Sequence, residues 1–189
     1  KLKGAYFCTS AESDRLAKVI FLGKQRMNPD RVGQSPVVLA GLAQFSIPPK
    51  TRILVSEETE IGWHRPLSAE KLNPVLAFYV ANDEGHALEL ANNIAKFEGW
   101  GHSSVVHSND PKIVAKFASI PTGRVLVNTP AILGGMGYST DLEPSFMLGT
   151  GTWSGSITSD NVTALHLINI KRVAYESRPW RDIYEEYGE

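Results

Sequence analysis

Cysteine is the scarcest chemistry in this sequence: 189 residues carry one thiol, Cys8. A single cysteine excludes an internal disulfide framework and any multi-thiolate metal site, and it suits a reducing compartment. Long apolar runs are missing too. No stretch approaches the roughly 20 residues needed to cross a bilayer, and the N-terminus lacks the apolar block of a secretion signal, so a soluble cytoplasmic chain with no membrane partner is expected. Charge of one sign is also lacking. Lys plus Arg number 19 against 20 Asp plus Glu, a net charge of -1, which leaves no basic field for nucleic acid. The five histidines, His64, His86, His102, His107 and His166, form no H-x-x-x-H or H-E-x-x-H pair, so no metal site is expected.

What is present is an apolar content of 42%, enough for one domain around a single core. The chain begins at Lys1 rather than Met, which reads as a piece of something longer. Ser10 and Glu12 open a stretch where Leu16, Ala17, Val19, Ile20 and Phe21 recur at helical spacing, with Gly23 where a C-cap would sit. A second helix starts at Ser35-Pro36 and ends before Pro48-Pro49. Arg52 to Val55 and Val75 to Val80 read as buried strands. Asp83 caps an amphipathic helix that closes at Gly99. Ser103 to Val106 is a brief strand, Asp110-Pro111 opens a helix reaching Ile120, and Arg124 to Val127 is again a strand. Alternation of this kind implies βαβ crossovers, so the fold class is α/β with a mainly parallel sheet and flanking helices. A late stretch, 165–175, alternates with apolar residues on both sides and is expected to be a strand that pairs outside its own domain. The tail 179–189 reads as a short helix.

Several residues are placed for chemistry. Asn128, Thr129 and Pro130, with Gly134, Gly135 and Gly137, follow the strand 124–127, at the edge where open α/β sheets bind ligands. The glycines there either admit a ligand close to the backbone or shape a surface turn. A second glycine cluster, Gly149 to Gly155, leaves the same two readings open. His102, after Gly101 at the mouth of a strand, is a candidate base near neutral pH. Glu70 stands at another strand entrance. Cys8, in Tyr6-Phe7-Cys8, reads as packing rather than as a nucleophile.

In order along the chain, Arg52-Ile53-Leu54-Val55, Glu70-Lys71-Leu72-Asn73-Pro74, Gly101-His102-Ser103, Arg124 to Pro130 with Gly134-Gly135-Met136-Gly137, Pro144 to Gly155 and His166 to Lys171 resemble the latter part of the coenzyme A-acylating aldehyde dehydrogenases. The resemblance runs from about Gly4 to about Tyr175. It implies a mechanism in which a cysteine thiolate attacks the aldehyde, hydride passes to NAD or NADP, and coenzyme A takes the acyl group from the thioester. It further implies that Glu70 bonds the ribose beside the nicotinamide, that His102 is a proton relay or coenzyme A contact, and that Asn128, Thr129, Pro130, Gly134, Gly135 and Gly137 line the substrate and coenzyme A entrance. The family's nucleophilic cysteine lies upstream of the segment matching Gly4-Ala5-Tyr6, and Cys8 does not match it. Where relatives often carry cysteine in an L-G-C-G motif, this chain has Thr150. The expected organisation is therefore a partial catalytic domain over 1–160, then an oligomerisation strand and tail over 161–189 that joins copies of the chain. The small-molecule partners implied are an aldehyde or an acyl-CoA. Different readings are a non-acylating aldehyde dehydrogenase and a non-catalytic assembly module.

Overall fold

The fold was described from a computed structural model, which covers residues 3–23 and 25–188. Its first layer is a parallel ladder of three strands in the order β1 (Ala5–Phe7), β4 (Ile53–Glu57), β5 (Val75–Phe78), with Tyr6 opposite Leu54 and Leu54 opposite Val75. Between β1 and β4 the chain forms α1 (Ser10–Ile20), a two-stranded hairpin of β2 (Phe21–Leu22) and β3 (Arg26–Met27), and α2 (Pro36–Leu42). Thr9, one residue ahead of the predicted start, caps α1: its hydroxyl accepts the Glu12 N–H while the Glu12 carboxylate accepts the Thr9 N–H at 2.7 Å. Gly23 is not the C-cap. Phe21 takes that place because the chain passes straight into β2, and Gly23, at φ +63°, serves the hairpin turn instead.

The core is the face these elements share. Leu16 and Ile20 from α1, Leu39 from α2, Leu54 from β4 and Leu67 are fully or almost fully shielded and pack with Phe21, Ala43, Ala69 and Val75. Each such leucine or isoleucine contributes about 1.5–3 kcal/mol by leaving water. Trp63 joins the cluster edge-on to both Phe21 and Phe97, the latter at 5.1 Å between ring centroids, and so ties the third helix to this core.

The second layer follows the predicted alternation. After β5 come α3 (Glu84–Glu98), β6 (Gly101–Val106), α4 (Pro111–Phe117) and β7 (Thr122–Val127). Asp83 accepts the His86 N–H and Asp110 the Lys112 N–H, each shielding a free N–H of a first helical turn. β6 and β7 pair in parallel, Gly101 opposite Thr122 through Val106 opposite Val127. The α/β class with mainly parallel strands and flanking helices is thus what the chain adopts, but as two ladders. Among the described residues β5 pairs only with β4 and β6 only with β7.

The stretch 165–175 departs from expectation. Ala164–His166 is a short 3-10 turn, and residues 167–175 have no ladder partner among the described residues. A strand needs a neighbour for its N–H and C=O groups, and here Leu167, Val173 and Tyr175 stand at 74–87% exposure with none beside them. The tail forms α6 (Trp180–Tyr187), as its pattern predicts. No helix of the described residues is long and apolar enough to cross a membrane.

Candidate functional site

Where β5 and β6 fail to pair, residues of both strands line a cleft of about 360 Å³. Leu76 and Ala77 come from β5, His102 and Ser103 from β6, Glu98 from the end of α3, and Glu70 and Lys71 from the approach to β5. The structure therefore brings together Glu70 and His102, which lie 32 positions apart in the sequence.

The approach to β5 is held from beneath. Ser56 and Glu58, both buried, leave β4 toward α1: the Ser56 hydroxyl donates to the Glu58 carboxylate at 2.7 Å and lies 2.8 Å from the Ser13 hydroxyl. The Arg65 guanidinium donates to the same carboxylate at 2.7 Å, a bond that holds its proton even more firmly than usual. From Arg65 the chain turns through Pro66–Ser68, where the Ser68 hydroxyl accepts the Gly62 N–H at 3.0 Å and sits 2.7 Å from the Arg65 carbonyl oxygen. Leu67, Ser68 and Ala69 are buried, and Glu70 emerges exposed. Lys71 turns back: its ammonium donates to the Leu67 carbonyl at 2.5 Å and the Ala69 carbonyl at 2.9 Å. Burial pushes that ammonium down to about 8, against the pull of Glu58 and Glu70.

On the other wall, Gly101 adopts φ +78°, and a Cβ there would run into the Thr150 carbonyl. The glycine thus lets the 149–155 loop cross the head of β6, where Trp100 and Trp153 meet at 6.0 Å. Arg124, buried on β7, fastens that loop by donating to the carbonyls of Gly149 at 2.9 Å and Ser159 at 2.7 Å, and it reaches the Ser103 hydroxyl at 3.3 Å. The His102 side chain is exposed, and its ring makes no hydrogen bond among the described residues, which leaves both nitrogens available to a ligand.

The other predicted residues gather elsewhere. Asn128, Thr129 and Pro130 follow the carboxyl end of β7, whereas Glu70 and His102 stand at the amino ends of β5 and β6. Six residues of strand separate the two edges by about 20 Å. Asn128, at φ +54°, donates its amide to the Ser108 carbonyl at 2.9 Å and so joins the two loops that leave β6 and β7. Thr129 is buried against Ser139. Pro130 opens the short helix α5 (Ala131–Gly135), whose Gly134 faces the Thr129 side chain, while Gly137, at φ +81°, lies against the Leu142 carbonyl. Close packing accounts for Gly134 and Gly137 within the chain, whereas a Cβ at Gly135 would make ordinary contacts, and none of Asn128, Thr129, Pro130, Gly134, Gly135 or Gly137 lines the cleft of Glu70 and His102.

Cys8 follows β1, outside the cleft, and burial pushes its thiol up to about 11. At neutral pH it is a protonated, poorly nucleophilic thiol. No group of three or more His, Cys, Asp or Glu among the described residues is arranged to hold a metal ion.

Sequence reasoning missed Lys71, Arg124 and the Glu58–Arg65 pair. Arg124 heads R-V-L-V much as Arg52 heads R-I-L-V, yet Arg52 is exposed and Arg124 buried, so the local pattern carries no signal that separates them.

Comparison with known proteins bears out the resemblance read from the motifs. No family profile matches the sequence. The chain is 39% identical over 178 residues to the aldehyde-alcohol dehydrogenase of Clostridium acetobutylicum, covering 91% of this chain and 20% of that protein. It is 30% identical over 202 residues to the acylating sulfoacetaldehyde dehydrogenase of Bilophila wadsworthia, covering 100% of this chain and 44% of that one. The crystal structure of an acetylating aldehyde dehydrogenase from Geobacillus thermoglucosidasius superposes with a TM-score of 0.87 at 41% identity, over 93% of this chain and 39% of that one. These relatives are oxidoreductases that act on aldehydes, and the chain spans a fifth to less than half of their length.

Proposed function

We propose that this chain, a relative of the acylating aldehyde dehydrogenases, supplies one wall of the active site of such an enzyme, which converts an aldehyde, coenzyme A and NAD or NADP reversibly into an acyl-CoA and the reduced nucleotide. The observation that carries the reading is the pairing of Glu70 with His102 across one cleft. The nicotinamide nucleotide supplies the hydride acceptor. An exposed carboxylate accepts hydrogen bonds only, and the vicinal hydroxyls of a ribose offer two donors, so Glu70 suits the sugar and fixes where the reacting ring lies. His102, with free ring nitrogens, takes or returns the proton that moves between thiol, aldehyde oxygen and solvent. Arg124 and Gly101 position the wall by holding the 149–155 loop against β6.

Since burial holds the Cys8 thiol protonated, the attacking sulfur comes from outside these 189 residues. Asn128, Thr129, Pro130 and the glycines Gly134, Gly135 and Gly137 form a second structured rim at the opposite edge, assigned to the coenzyme A entrance. Residues 1–160 then act as part of a catalytic domain. The exposed, unpaired stretch 165–175 docks on another copy of the chain, which gives a homo-oligomer in a cytoplasmic setting.

The complete gene product, given a short aldehyde, NAD and coenzyme A, is expected to form NADH, followed at 340 nm, only when coenzyme A is present. Oxidation that ignores coenzyme A would move the protein to the non-acylating enzymes. His102→Ala is expected to lower kcat by about 10²–10⁴-fold with an unchanged circular dichroism spectrum; unchanged kinetics would remove His102 from the mechanism.

A further inference from the structure

We propose that Lys71 is an acylation site: its side-chain amine, held in the cleft of Glu70 and His102, takes the acyl group of a thioester that enters the cleft. The reading of the previous subsection supplies the thioester; the geometry supplies the nucleophile.

Lys71 lines the cleft beside Glu70, and its nitrogen donates to two backbone carbonyls, those of Leu67 and Ala69. It makes no other hydrogen bond among the described residues. An ammonium has three donors, and two are spent. Loss of the third proton leaves both bonds intact and a lone pair at the remaining tetrahedral position, so the carbonyls hold the neutral amine in one orientation instead of quenching it. Burial favours this form, and the ammonium is pushed down to about 8. At pH 7.4 roughly a fifth of such a lysine is neutral, against about one part in a thousand for an ordinary lysine. The groups around it are Glu70 on its own segment, Glu58 beyond β4, Tyr79 after β5, Glu98 on α3 and His102 on β6. Of these, the carboxylates of Glu58 and Glu70 pull the ammonium back up without cancelling the burial.

The step balances without an oxidant or reductant. Nζ attacks the thioester carbonyl carbon, an N–C bond forms, the C–S bond breaks, and the thiolate leaves with the electron pair. The proton lost by nitrogen goes to the thiolate directly or through solvent, and the products are an Nε-acyl lysine and a free thiol. An amide nitrogen has one N–H where the ammonium had three, so one of the Leu67 and Ala69 carbonyls loses its donor. The turn that delivers Glu70 loosens while the acyl chain occupies the cleft. Accumulated acyl-CoA would in this way damp the enzyme that makes it.

The test incubates the complete gene product with acetyl-CoA, without nicotinamide nucleotide, between pH 7 and 9, and reads acetylation site by site from digested peptides by mass spectrometry. Lys71 is expected to label at least tenfold faster than the exposed Lys18 and Lys112, with a rate that rises to half its plateau near pH 8. Labelling of Lys71 no faster than those two overturns the proposal. The same preparation is assayed for coenzyme A-dependent NADH formation. A preparation active in that assay but unlabelled at Lys71 removes this inference alone. Labelling by a small acetyl thioester in an inactive preparation keeps the lysine chemistry and removes the function proposed above. Lys71→Arg, which keeps two donors but no acylatable amine, is expected to abolish any slow inactivation by acetyl-CoA.

Discussion

The ladder β1-β4-β5 and the stretch after Asn161 are opposite solutions to the same problem. In the first, Leu16, Ile20, Leu39 and Leu54 cover one another, and one carboxylate, Glu58, is buried and paired to the partly buried Arg65. In the second, Leu165, Leu167, Ile168, Ile170, Val173 and Tyr175 all face outward, each at least half exposed. An uncovered apolar stretch of that length is the surface that the proposed docking on another copy would cover. The contrast teaches that closure is uneven along the sequence: the first region covers a core with its own side chains, although Phe7, Leu76 and Phe78 stay exposed, and the second is left open.

The sharpest way to break the contrast is to strip a charge from the closed end. Arg65→Ala leaves Glu58 buried without its partner and is expected to cost about 3–5 kcal/mol in urea unfolding of the chain; a cost near zero would mean that water reaches the carboxylate. Leu54→Ala, which opens a cavity under β4, is expected to cost about 2–5 kcal/mol by the same measurement. A smaller effect comes from Lys71. Its folded value, about 8, lies below the 10.5 of an ordinary lysine, so between those pH values the unfolded chain holds a proton that the folded chain has released. Stability therefore rises with pH across that window, by up to about 3 kcal/mol, and is flat with respect to this group below pH 8. The stability of the chain relative to Lys71→Met, followed by urea unfolding from pH 7.5 to 10.5, should show that rise. Smallest of all, Leu167→Ala is expected to stay within about 0.5 kcal/mol in the single chain. In the complete gene product, Leu167→Asp should still shift sedimentation toward smaller species; identical sedimentation would show that the open end is not an interface.

Much of the fold was legible because its signals are local. Asp83 and Gly99 bracket α3, and Asp110-Pro111 opens α4, through chemistry within one turn of the helix end. β1, β2 and β3 escaped notice because strands of two or three residues show no periodicity. Glu70 and His102 were legible as motif residues. That they share a cleft was not, since it depends on β5 and β6 standing apart, which no alternation of apolar residues reports. The distance between His102 and Asn128 with the glycines after it also needed the ladder. The sequence puts His102 at the start of one strand and Asn128 after the end of another, and the parallel pairing of β6 with β7 turns that order into opposite edges. Lys71, between Glu70 and Leu72, reads as one more surface charge until the buried turn beside it is seen.

The meeting of Gly101 with Thr150 engages main-chain atoms of that residue, with the Trp153 Cβ beside them. The side chain at position 150 answers instead to its own loop, through its bond with Ser154, so an exchange there is felt within the loop before it reaches β6. A loop seated this way can vary one residue at a time, provided that the glycine opposite never gains a methyl group.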